Sequence, residues 1–81
     1  MEPTIKYKGP AVNQEARRAL KVAYQALAAK GYNPVRQLSS FLTSGDLSYI
    51  TNHNEARTII SGLERDDLIA ELVRVYVRDT E

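Results

Sequence analysis

The sequence predicts an all-α protein: a compact bundle of about four short helices after a flexible N-terminal arm, assembled as a homodimer. Two observations carry the fold class. Apolar residues recur at three- and four-residue spacing in separate blocks from Ala16 to Tyr76, which places each set on one helical face. Helix-starting and helix-stopping residues fall between the blocks, with Asn13 and Asn33 ahead of two of them and Gly31 and Gly45 behind. Length supplies the third. At 81 residues without cysteine, the chain forms one domain with no disulfide, and a domain of this size buries only about 60% of the surface its unfolded form exposes. Small domains without such staples gain stability by self-association.

Residues 1–12 contain Pro3, Gly9 and Pro10 and no sustained apolar period, so they read as a flexible regulatory arm before a helical dimerisation and interaction domain over 13–78. Asn13 is placed to cap the first helix, and Glu15 falls in its positive first turn. Ala16, Ala19, Leu20, Ala23, Ala26 and Leu27 line its inner face. Gly31 ends it through the left-handed conformation. Asn33 caps the second helix, and Pro34 suits its first position because no amide hydrogen is needed there. Val35, Leu38, Phe41 and Leu42 form its stripe, and Gly45 stops it. A short connector, Asp46 to Thr51, offers Leu47, Tyr49 and Ile50 for burial.

Asn52 with Glu55 reads as a capping box for a third helix carrying Ala56, Ile59, Ile60 and Leu63. Gly62 is costly inside a helix, and Ser61 with Glu64 forms a second capping box, so a break is expected from Gly62 to Asp66. The last helix, roughly Asp67 to Tyr76, carries an apolar stripe wider than one neighbour covers. The run Val73, Val75, Val77 offers a terminal strand as the alternative.

Composition excludes several functions. One histidine and no cysteine leave neither a multi-histidine nor a thiolate metal site, and no cofactor is implied. Asp66 and Asp67 are adjacent, so on a helix they diverge by about 100° rather than converge as a catalytic pair. No phosphate loop or catalytic triad order is present. The chain reads as a non-enzyme. Eleven basic against ten acidic residues give a net charge of +1, which is no nucleic-acid or membrane footprint. The start lacks the apolar run of a signal peptide, and no stretch approaches the ~18 apolar residues of a membrane span. The expected location is the cytoplasm. A small helical DNA-binding protein is the alternative reading, but neither middle helix is dense in base-reading side chains.

What remains is protein contact. Arg57 and Arg65 are candidate partner-binding residues, because the guanidinium fork suits carboxylate or phosphate. Eight residues apart, they would share a face on a continuous helix. Leu68, Ile69, Leu72, Val73 and Tyr76 are the candidate dimer interface, since apolar patches beyond a few hundred Å² are uncommon on monomers.

From Val22 the sequence runs Val-x-x-Ala-Leu-x-x-Lys-Gly-Tyr-Asn-Pro-Val. It continues with Gln37-Leu38, Phe41-Leu42, Ser44-Gly45-Asp46, Tyr49-Ile50, His53, Ala56-Arg57, Leu63-Glu64-Arg65-Asp66 and Glu71-Leu72-Val73-Arg74. In order and spacing this resembles the IreB family (IreB and ReoM), small kinase-controlled regulators of cell-envelope synthesis. The resemblance implies phosphorylation by a membrane-bound Ser/Thr kinase with extracellular PASTA domains, reversed by its cognate phosphatase. It also implies output on peptidoglycan-precursor synthesis, in part of the family through regulated proteolysis of an enolpyruvyl transferase. Implied partners are thus a second copy, the kinase and phosphatase, and a precursor enzyme or protease adaptor. The family's phosphoacceptor threonine is followed by an apolar residue, a variable position and an aromatic. Thr4-Ile5-Lys6-Tyr7 fits, assigning Thr4. The chain departs from the family at Asn52, Ser61 and Gly62, where basic residues are usual.

Overall fold

The computed structural model describes residues 13–80. Four α-helices follow in order: α1 (Gln14–Ala29), α2 (Pro34–Ser44), α3 (Ala56–Ser61) and α4 (Arg65–Thr80). Two single 3-10 turns, Leu47–Tyr49 and His53–Glu55, lie between α2 and α3. Helix α1 is the hub, packing against each of the other three helices. Its buried face is Ala16, Ala19, Ala23, Ala26 and Leu27. Four of these five are alanine, and a methyl-lined face lets neighbours approach closely at no side-chain entropy cost. Phe41, Ile50, Ala56, Ile60 and Leu68 complete the core.

Both asparagine caps form as the sequence requires. The Asn13 side-chain oxygen accepts from the Ala16 amide at 3.0 Å, and that of Asn33 accepts from the Arg36 amide at 3.1 Å. Helix α1 ends in a Schellman motif. Gly31 sits at φ 84°, its amide donates to Ala28 at 3.0 Å, and the Tyr32 amide reaches back to Leu27 at 3.0 Å. Gly45, at φ 78°, terminates α2, and its amide donates to the Phe41 carbonyl at 2.7 Å.

After Ile50 the expectations need correcting. The Asn52–Glu55 capping box does not form: Asn52 makes no side-chain cap bond, and Asn54 and Glu55 both adopt left-handed backbone at φ 55° and 59°. Ile50 is fully buried and Ala56 opens the core face of α3, so the five intervening residues must turn within a fixed span. That tertiary constraint outweighs local capping, and α3 shrinks to six residues.

The break at Gly62 is present. The second box is not, because the Ser61 hydroxyl donates backwards to the Thr58 carbonyl at 2.8 Å. Helix α4 is longer than expected, and the Val73–Val77 segment is helical rather than a strand. A lone strand would leave its backbone groups unpaired, whereas a helix pairs them internally.

Candidate functional site

Helix α4 is where local sequence and tertiary packing part company. Its described side chains include only two buried ones, Leu68 and Glu71, while Ile69, Leu72, Val73 and Tyr76 are 42%, 44%, 56% and 70% exposed. Leu68 therefore belongs to the chain's own core, and the candidate dimer face contracts to the other four. These lie at three- and four-residue spacing on the outer side of α4.

Arg57 and Arg65 do not share a face, because the helix is interrupted at Gly62 and they stand on α3 and α4. Each instead ties a connection. Arg57 donates through Nε to the Ile50 carbonyl at 2.8 Å, fixing the stretch of chain that carries the buried Ile50. Arg65 donates to the Leu42 carbonyl at 3.0 Å, one of the orphan acceptors at the end of α2. Its guanidinium carbon lies 2.9 Å from where a Cβ on Gly45 would stand. Gly45 is thus favoured by its positive φ, and a side chain there would also displace the Arg65 guanidinium. Both arginines remain exposed. Thr4 lies outside the described residues, as does the whole arm.

The buried carboxylate of Glu71 was not singled out by sequence reasoning. It is 1% exposed and faces Arg17, with Nε to Oε2 at 2.9 Å. It also receives a hydrogen bond from Arg74 one turn along α4, and another from the Asn13 amide at 3.2 Å. Its Oε2 has no well-aligned hydrogen bond, so the contact with Arg17 is an ion pair rather than a forked one. The signal was available in the register. Glu71 follows Leu68 by three residues, a position that shares the inner face. A helix that buries a carboxylate there requires a basic partner, and the neighbouring helix supplies it.

Beside this triad an open cleft of about 580 Å³ separates α1 from α4. Arg17, Arg18 and Lys21 form one wall and Leu72 and Val75 the other. A second cleft, of about 570 Å³, continues from it between α1 and α2 and shares Leu20, Lys21 and Leu72. Its walls are almost wholly apolar, with Tyr24, Val35, Leu38 and Leu42 contributing.

Asp46 is held below its ordinary pKa of 3.8 by the backbone amide of Ser48 and then by the Ser48 hydroxyl. This is the cap of the first 3-10 turn, and the amide distance is 2.9 Å. Among the described residues, no group of three potential metal-binding side chains comes together. No described helix is long and apolar enough to cross a membrane.

Together these features define a small protein, all-helical over its described residues, whose distinctive surfaces are an exposed apolar helix face and a basic-to-apolar cleft. The family model described as "IreB regulatory phosphoprotein" matches residues 2–78, and the chain belongs to that family. A relative named UPF0297 protein, from Acetivibrio thermocellus, is 48% identical over 65 residues, covering 80% of this chain and 72% of the relative. Family membership carries a regulatory role.

Proposed function

We propose that this chain is a non-enzymatic cytoplasmic regulator that acts by protein contact, is switched by a Ser/Thr kinase and its phosphatase, and controls peptidoglycan-precursor synthesis. The observation that carries the reading is the family match across residues 2–78, under a description that names both regulation and phosphorylation. The phosphoacceptor is Thr4, in the sequence Thr4-Ile5-Lys6-Tyr7. Its partner is a precursor enzyme or a protease adaptor, met through exposed arginines that include Arg57 and Arg65. A DNA-reading role gains nothing from the geometry, since α3 spans only six residues.

The working form is a homodimer joined through α4. Five large apolar side chains stand exposed on that helix, Val77 beside the candidate face of Ile69, Leu72, Val73 and Tyr76, and covering such a patch releases the water it orders. Leu72→Asp places an uncompensated carboxylate in that contact. Sedimentation should then show a folded monomer where the parent chain is dimeric. A parent chain that is monomeric at every concentration sinks the dimer.

The decisive experiment for the switch is mass spectrometry after incubation with the cognate kinase. Phosphate on Thr4 is expected, and Thr4→Ala should abolish it. Phosphate mainly on another residue, or none, overturns the assignment. A pull-down comparing the two phosphorylation states then identifies the partner that the switch controls.

A further inference from the structure

We infer that the cleft between α1 and α4 is a docking site for this chain's own arm when Thr4 carries a phosphate, and that the unmodified arm is excluded from it. The inference rests on the phosphorylation reading above and adds the receiver to it. Three observations on the cleft point the same way.

The first is charge. Arg17, Arg18 and Lys21 line one wall, and Glu71 is the one acidic group among the described lining residues. The cleft therefore carries a net charge of +2, counting three cations against one anion. Glu71 itself is enclosed behind Arg17 and Arg74, at 1% side-chain exposure against 39% and 26% for the two arginines. The buried carboxylate orients Arg17, and the outer edges of the basic groups meet solvent. Arg18 and Lys21 are both exposed, and neither pairs with a carboxylate among the described residues. A phosphate that docks here meets cations first.

The second is the opposite wall. Val75, outside the candidate dimer face, and Leu72, at the inner edge of that face by helical register, stand opposite the basic residues, so the cleft offers an apolar strip beside a cationic one. Thr4 is followed by Ile5 and Tyr7. Phosphate against the α1 wall and these two side chains against the α4 wall match the cleft's two chemistries.

Reach is the third. The described chain begins at Asn13, whose amide already donates to Glu71 at the edge of the cleft. Thr4 lies nine residues earlier, a span of up to about 30 Å when extended. Lys21 lies only about 12 Å along α1 from Asn13. The arm can fold back with slack, and no second molecule is needed.

Charge sets the switch. Counting side chains, Glu2 against Lys6 and Lys8 leaves the unmodified arm at +1, which a cationic cleft repels. A phosphate adds about −1.5 to −2 and brings the arm to about −0.5 to −1, concentrated at one side chain.

The test uses the full chain with phosphothreonine installed at position 4 by semisynthesis, compared with the unmodified chain by NMR. The expected result has four parts. Amide resonances of Gln14, Arg18, Lys21 and Val75 shift on phosphorylation, the arm's relaxation slows, and both effects are unchanged on dilution. High salt reverses them. The pair Arg18→Gln and Lys21→Gln, on the exposed face of α1, should abolish the shifts while the thermal melt stays that of the parent.

Identical spectra with and without phosphate overturn the inference, as do shifts confined to another surface. The same shifts from the unmodified arm overturn the charge control. Loss of the effect on dilution assigns the arm to a second copy and overturns docking within one chain. Because the phosphate is placed chemically, a kinase that ignores Thr4 sinks only the phosphorylation reading. A kinase that modifies Thr4 without any docking sinks only this one.

Discussion

Helices α1 and α4 are both sixteen residues long, yet they stand in opposite relations to the fold. Helix α1 buries five residues, four of them alanine, and touches every other helix. Helix α4 buries a single apolar side chain among those described, Leu68, together with the charged Glu71. Large apolar side chains are thus plentiful on the helix that is little buried and scarce on the one at the centre. Burial follows from where a helix lies among its neighbours, and an alanine face fits the crowded centre because it lets three helices close in.

If α4 is held mainly by one buried leucine, with the Glu71 contacts and the Arg65 tie to Leu42 beside it, removing the leucine should have the largest effect. Leu68→Ala is expected to cost about 2–5 kcal/mol through lost burial and the cavity left behind. Hydrogen exchange should show α4 opening well before α1. A loss below about 1 kcal/mol, with α4 still protected, would mean that the helix is held by contacts other than these.

Glu71→Gln sharpens the same point. It keeps the shape and removes the charge, and a buried hydrogen-bonded carboxylate contributes about 1–3 kcal/mol. The lower half of that range is expected, because Arg17 and Arg74 are partly exposed and can turn to water. Denaturation midpoints with and without the substitution measure it. No change would show that the triad orients α4 without stabilising it.

The corner between α1 and α2 provides the contrast, since it depends on local backbone alone. Gly31 stands at φ 84°, and a Cβ added there would have nothing within 4 Å, so a side chain meets strain but no clash. Gly31→Val should cost about 1–2 kcal/mol, the left-handed penalty of a branched residue. Gly31→Asn should cost much less, because asparagine tolerates that conformation. Equal melting temperatures for the two variants would show that φ is not what selects glycine.

The smallest effect belongs to Asp46. Its carboxyl is held below its ordinary pKa by Ser48, so the folded form favours the charged state. The resulting stabilisation is present above the unfolded carboxyl's pKa of about 3.8 and disappears as pH falls through the lower folded value. The stability difference between the parent and Asp46→Asn should therefore be flat from neutral pH down to about pH 5 and shrink below it. A difference that grows on acidification contradicts the assignment.

The helical class, both asparagine caps, the left-handed Gly31, the stop at Gly45 and the break at Gly62 were legible in the sequence because each is decided within four or five residues. The core stripe of α1 was legible for the same reason, as it follows from helical periodicity. The backbone of Asn54 and Glu55 was not, since it answers to the distance between Ile50 and Ala56 in the folded core. Nor were the roles of Arg57 and Arg65, whose backbone acceptors lie seven and twenty-three residues away. For the candidate site, the sequence by itself marked the apolar residues of α4. Only the tertiary structure decided that Leu68 turns inward, that Glu71 is enclosed by arginines from two helices, and that Arg18 and Lys21 face Leu72 and Val75 across a cleft. Capping and φ preferences are properties of neighbouring residues, whereas burial and ion pairing depend on which helix lies opposite, and one chain's local text does not contain that choice.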